Sequence, residues 1–287
     1  MTAAVMTERE PVRVSDPDEE RSGLAQLWSD TLVYAGRNIA HIRQIPEKLL
    51  DVTVQPLMFV LLFAYVFGGA IHVGNGASYR EYIIGGILIQ SLTFGLNGPA
   101  TAIATDLTEG VIDRFRSLPA SRASYLLGHF LAELGGMVLS IVVLLAAGLL
   151  VGWRTHNDVG HLSGAILLLL LFSSAMIWIG TWIGLTVRSP DAVMGIAFVV
   201  VFPLTFLSSA FVPINTLPSV LEHIAAWNPI SIIVNAVRAL FGNPVPYAGV
   251  HAWPLEHPIP AAFVSCFVML AVAVPMSLRA YRARTSD

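Results

Sequence analysis

The chain has 287 residues, of which 55% are hydrophobic and only 12% charged, against roughly 25% charged in soluble domains. A net charge of −3 supplies no basic field for nucleic acid, and the single cysteine, Cys266, excludes a disulfide framework and a cysteine zinc site. With a mean hydropathy of +0.70 and apolar blocks about as long as the 20 residues that cross a ~30 Å hydrocarbon core, the composition predicts an all-α, polytopic integral membrane protein.

Residues 1–23, acidic and polar, read as a disordered tail, with no apolar stretch of the signal-peptide kind. Over 24–51, Leu24, Leu27, Trp28, Thr31, Ala35, Ile39 and Ile42 recur every three or four residues. That spacing predicts an amphipathic helix, lying in the membrane interface or packed on protein. Residues 52–281 hold six predicted transmembrane helices, at 52–71, 82–104, 124–152, 162–187, 192–212 and 260–278, and 282–287 form a short tail. Between the last two spans, 213–259 is broken by prolines into apolar stretches too short to span, which suits re-entrant or interfacial helices. Counting Arg and Lys in the connections puts thirteen on the side of both termini and three (Arg80, Arg154, Arg238) on the other. The excess predicts cytoplasmic termini.

Several chemistries lack their residues. A phosphate-binding loop needs a lysine after glycine, whereas Lys48 follows Glu47 with no glycine nearby. His156, His161, His251 and His257 fall on outer loops without metal-ligand spacing. Neither an HExxH nor a GxSxG pattern occurs.

The loop at about 105–122 is more informative. Val111, Ile112, Phe115 and Leu118 form an apolar stripe among Thr108, Glu109, Asp113, Arg114 and Arg116, and Pro119 ends it. Such a ridge suits docking into a partner's groove; equally, its arginines could serve only to set topology.

From Glu109-Gly110 through Asp113-Arg-Phe-Arg116 to Leu118-Pro119 and Arg122, the segment resembles the coupling helix of ABC-2 type transporter permeases, usual form Glu-x-x-x-Gly-Thr-(x)-Glu-x-Leu-x-x-x-Pro-x-x-Arg. Phe202 to Pro218 is similar to that family's span-five exit. Trp227-Asn-Pro-Ile-Ser with Asn235-Ala-Val-Arg-Ala-Leu240 is similar to its outer helix before span six. Asp106 stands where an upstream Glu is common, and Val111-Ile112-Asp113 replaces Thr-x-Glu. The resemblance covers about 24–285 and is nearest the daunorubicin/doxorubicin-resistance (DrrB-like) branch. It implies the membrane subunit of an ATP-driven exporter of an amphipathic drug or lipid in a bacterial plasma membrane. It also implies a second copy of the chain and two ABC ATPase subunits, which bind the ATP and Mg and dock on 105–122. The chain itself would then be non-catalytic and cofactor-free.

Within the spans, Gly86, Gln90, Thr93, Asn97 and Thr101 fall in one sector of span two at 100° per residue. This polar stripe lines a translocation path or makes hydrogen bonds between helices. Phe202, Phe206 and Ser209 are its expected counterpart on span five. Glu133, the one clear intramembrane carboxylate, is a relay group, or it snorkels or pairs with an arginine such as Arg114. Gly180 and Gly184 read as a close-packing pair. Two other classes stay in view. A secondary transporter or channel would need more intramembrane charges than one Glu, and an intramembrane lipid-modifying enzyme would need clustered carboxylates or a Ser/His pair.

Overall fold

A computed structural model describes residues 46–67, 78–110, 122–245 and 250–285. Helix α1 (Pro46–Leu61) runs into a π-helical turn, Leu62–Phe67. The next span is α2 (Tyr79–Phe94) and α3 (Asn97–Thr108), followed by α4 (Arg122–Val151) and α5 (Val159–Thr186). Then come α6 (Pro190–Ile196), a π-helical turn at Ala197–Val201, and α7 (Phe202–Phe206). The proline-rich segment 213–259 holds α8 (Ser219–Trp227), α9 (Pro229–Phe241) and α10 (Trp253–Glu256), and α11 (Pro258–Thr285) closes the order. All the regular elements among the described residues are helical. Hydrocarbon offers no partner for a backbone amide, and a helix satisfies its own.

Among the described residues, four stretches are long and apolar enough to cross a membrane: Tyr79–Thr108, Tyr125–Val151, Val159–Thr186 and Pro258–Arg284. The α8–α9 pair, bent by 72°, makes a fifth if it counts as one broken span; otherwise it is a re-entrant loop. The chain is therefore a multi-span bundle of four to five such helices. The first and fifth predicted spans are present as shorter apolar helices, Val54–Val66 and Pro190–Phe206.

Several boundaries differ from the sequence expectation. Helix is described from Pro46 onward and runs without a break into the first predicted span at 52. Span five stops at Phe206, not near Val212: Leu207 caps it on the carbonyl of Pro203, and the chain continues in turns. The last helix runs on to Thr285, past the expected end at 278. The predicted tail at 1–23, residues 24–45 of the amphipathic segment, and 111–121 of the loop lie outside the described residues.

Span two is broken at Gly95–Leu96 for a local reason. Pro99 has no N–H for the carbonyl of Gly95, four residues back, so the turn tightens, with Leu96 N–H bonded to Thr93 and Gly98 N–H to Gly95. The helix stays bent by little enough to count as one span. Helix α5 packs along it through Gly180 and Gly184, whose Cα atoms sit against the carbonyls of Leu96 and Ala100, too close for any Cβ. The expected small-residue contact is thus the seam between these two spans. Leu139, Val142 and Leu150 on α4, with Val264, Phe267 and Val272 on α11, remain exposed. An outer surface this apolar suits lipid rather than water.

The end of the bundle that holds α8 to α10 is tied together by polar bonds. Asp158 caps α5, accepting from the backbone and side chain of His161, which holds its carboxyl below the ordinary value. The Trp153 indole donates to Asn243 at 2.6 Å, and Asn157 donates to the carbonyls of Ala239 and Leu240. Gly242, at φ 72°, ends α9 in the left-handed conformation that favours glycine.

Candidate functional site

Gln90 and Thr93 lie inside the bundle, 6% and 2% exposed, while Asn97 and Thr101 are half-buried. Thr93 is satisfied within its own helix by Ile89. Gln90 Oε1 and Asn97 Oδ1 are buried with no hydrogen-bond partner, as is Ser173 Oγ on α5, a position the sequence pattern did not single out. By the register of the Gly180–Leu96 contact, Ser173 stands at about the depth of Gln90. Unsatisfied buried amides are costly, so this seam holds polar capacity that the fold itself does not use.

Phe202 and Phe206 stack on each other at 4.2 Å between centroids. They belong to a longer ladder. Phe198 joins at one end at 5.0 Å, and Phe211, Phe63 and Phe59 continue it at 5.0, 4.9 and 6.2 Å. Six rings therefore run from span five to the first helix, with Phe198 and Phe206 exposed and Phe211 buried. Ser209 does not share the phenylalanine face, because α7 ends at Phe206 and the turn carries Ser209 inward. The helix periodicity assumed for it stops three residues too early.

Ser209 instead meets a group that the charge count had placed on an outer loop. Arg238 is fully buried. Its Nε donates to the carbonyl of Tyr82 at 2.8 Å, Nη1 to Ser209 at 2.9 Å and more loosely to Asn235 Oδ1 at 3.4 Å, and Nη2 to Ala210 at 3.0 Å. Its Cζ lies 3.5 Å from the centroid of the Tyr82 ring. Withdrawing a guanidinium from water costs several kcal/mol. Hydrogen bonds from a charged donor return about 1.5–3 kcal/mol each, so this set is of the size that holds the charge indoors. A signal for it was present in the sequence. Ser231, Asn235 and Arg238 fall on one face of an otherwise apolar helix, and all three reach Ser209 or its neighbour.

Glu133 is half-buried on α4, and Gly98 of α3 leaves room for its carboxylate: a Cβ there would lie 3.0 Å from Oε2. Its suggested partner Arg114 is outside the described residues, as are Val111, Ile112, Asp113, Phe115, Arg116, Leu118 and Pro119; Glu109 and Gly110 end the described part of that loop. Nearby, the Tyr125 hydroxyl donates to Asp106 at 2.7 Å. Cys266 is a buried free thiol. Among the described residues no group of three or more His, Cys, Asp or Glu could hold a metal ion. His156 instead lies 3.6 Å from Glu81, and His251 3.4 Å from Glu256.

The sequence profile described as "ABC-2 type transporter" matches residues 30–241, most of the chain. The chain belongs to the ABC-2 type transporter family. Among relatives of this ABC-2 chain, the daunorubicin resistance ABC transporter permease protein DrrB1 of Streptomyces coeruleorubidus is 29% identical over 93% of this chain and 91% of its own length. The doxorubicin resistance ABC transporter permease protein DrrB of Mycobacterium tuberculosis is 24% identical over 86% of each. A putative transport permease, ycf38 of Pyropia yezoensis, is 25% identical over 77% of this chain and 78% of its own. This ABC-2 chain is thus a non-catalytic membrane permease of a family associated with ABC ATPase partners. The matched region spans the polar seam, the whole aromatic ladder and the Arg238 cluster.

Proposed function

We propose that this permease is the membrane half of an ATP-driven exporter that moves an amphipathic, hydrophobic drug or lipid outward across a bacterial plasma membrane. The observation carrying this reading is the family match together with two relatives, named for daunorubicin and doxorubicin resistance, that align over nearly their whole length. Six membrane passes with cytoplasmic termini complete the reading, the two short apolar helices serving as passes one and five. Two copies pair, and two ATPase subunits, which hold the ATP and Mg, dock on residues 105–122.

The path runs along Gln90, Thr93, Asn97 and Thr101, opposite the phenylalanines at 202 and 206. Two features support it. The unpartnered oxygens of Gln90 and Asn97 offer hydrogen bonds to a polar edge, and the aromatic ladder offers stacking to a flat apolar body. Glu133, set back from this line towards the cytoplasmic end, is a second contact for a polar group.

Docking is tested by co-expression with the ABC ATPase encoded beside this gene and native mass spectrometry of the complex. The unmodified chain should appear as two permeases with two ATPases. Asp113→Ala with Phe115→Ala should reduce captured ATPase at least tenfold, since a small interface loses its central apolar and charged anchors together. Undiminished capture would end the docking role of 105–122. Orientation has its own readout: single cysteines at Arg154 and Thr216 should react with an impermeant maleimide added outside intact cells, and labelling only after lysis would invert the topology.

A further inference from the structure

We infer that Arg238 is a positioning residue that locks the outer end of span two to the exit of span five, so that the two move as one body during transport. The inference rests on the exporter reading above.

The geometry around the exit carries it. After Phe206 the chain leaves helix, and non-helical backbone at membrane depth persists only where protein satisfies it. Here α2 and α9 do so. Ser209 N–H donates to Ser231 Oγ at 2.9 Å and its hydroxyl to Asn235 Oδ1 at 3.0 Å. Its carbonyl accepts from both the Tyr82 hydroxyl, at 2.6 Å, and Arg238. The Tyr79 hydroxyl reaches the carbonyl of Phe211 at 3.2 Å.

Arg238 joins all three pieces through a single side chain. It stands on α9, and its three nitrogens meet one carbonyl of α2 and two of the exit strand. A planar fork spreads its donors over three nitrogens and so reaches three separated carbonyls, whereas lysine offers its three donors from one nitrogen. The contact is also backbone to backbone at heart. Gly86 sits directly against the carbonyl of Ala210, and Gly85 leaves 3.0 Å between a Cβ position and Cγ of Arg238. No flexible side chain separates span two from the exit strand.

Span two, although its helix tightens at Gly95–Leu96, is still one span and can act as a lever. It runs from Tyr79 at the grip to Thr108, where Glu109 and Gly110 lead into the proposed ATPase contact. A displacement entering there arrives at Tyr82, and Arg238 passes it to Ser209 and Ala210.

The test uses the full permease–ATPase complex in lipid nanodiscs, with spin labels on two exposed positions across the lock, Arg80 and Val212. Distances are read without nucleotide and with ATP trapped. In the unmodified complex the pair should shift by less than about 2 Å, the scale of packed-helix adjustment. In Arg238→Met and Arg238→Lys the trapped state should separate the labels by about 5 Å or more, one helical turn, with ATP hydrolysis retained. Tyr82→Phe, which removes only the hydroxyl bond to Ser209, should broaden the distribution without that shift.

A purely structural role would lower the yield of both variants and leave the nucleotide dependence of the distance untouched. The inference is overturned if the unmodified pair separates on ATP trapping, or if folded Arg238 variants keep the unmodified distances. The first of these is readable even if every variant fails to fold. Failure of the exporter reading looks different: no ATPase is captured, and ATP shifts no distance at all.

Discussion

Replacing Gly86 by valine should leave little folded permease to purify, and Gly86→Ala should already lower its melting temperature in detergent by several degrees. A Cβ at this position would fall far inside contact distance of the carbonyl oxygen, carbonyl carbon and Cα of Ala210. All are backbone atoms pinned by Arg238 and its neighbours, so no side chain can swing aside. Overpacking of a tight site costs about 1–3 kcal/mol and more where nothing yields. The same strain is expected at Gly180 and Gly184, where Leu96 and Ala100 present their backbones. Gly135 is the control. It is exposed on α4 with nothing within 4 Å of a Cβ, and Gly135→Ala should be neutral or stabilising by about 0.5–1 kcal/mol through helix propensity alone. Thermal unfolding of the two alanine variants side by side decides the matter. If Gly86→Ala behaves like Gly135→Ala, the close approach of span two and the exit strand is not what holds this region.

Asn228 should prove a highly sensitive polar residue of the segment 213–259. It is 5% exposed and bonds in both directions. Its Oδ1 caps α9 by accepting from Ile230 N–H at 2.9 Å, while Nδ2 donates to the carbonyls of Leu204 at 2.7 Å and Leu207 at 2.9 Å. Those carbonyls belong to the end of α7, where the helix has run out of N–H groups to offer them. Asn228→Ala loses a cap worth about 1 kcal/mol and strands two carbonyls at about 1–3 kcal/mol each. A loss of roughly 3 kcal/mol or more follows, measured by unfolding in mixed micelles. Asn228→Asp separates the two roles. It keeps the cap acceptor but turns a second oxygen towards the two carbonyls, so it should be no more stable than the alanine variant. An aspartate variant as stable as the unmodified chain would show that the cap dominates and that the clamp on α7 is idle.

The long spans could be read from the sequence because each is an apolar block whose length alone answers the bilayer. Even the break in span two was implicit in Pro99, and the pairing of Gly180 with Gly184 in their spacing. The buried cation was harder. Counting charges outside 20-residue blocks treats any arginine there as wetted, and α9 has only 13 residues. Burial of that helix comes from α2, α5 and α11 packing around it, which local periodicity does not report. The better clue was its composition, apolar on every side except for Ser231, Asn235 and Arg238. Removing Arg238 from the outer count leaves only Arg80 and Arg154 there, which widens the asymmetry on which the orientation rests. Ser209 was misplaced for a related reason: a period of 3.6 was carried past the point where the helix stops. The 111–121 segment, read as the docking ridge from its stripe and its resemblance, lies outside the described residues.

The early end of span five has a consequence for the surrounding lipid. Its 17 residues from Pro190 to Phe206 reach about 25 Å at 1.5 Å per residue, short of a hydrocarbon core of about 30 Å. Such hydrophobic mismatch is met by thinning the adjacent leaflet, at a fraction of a kcal/mol per ångström. The thinned ring falls beside the exposed rings of Phe198 and Phe206. On the export reading proposed above, with this helix as the fifth pass, an amphiphile released there would cross less hydrocarbon, so the bilayer as well as the protein would lower the barrier to release.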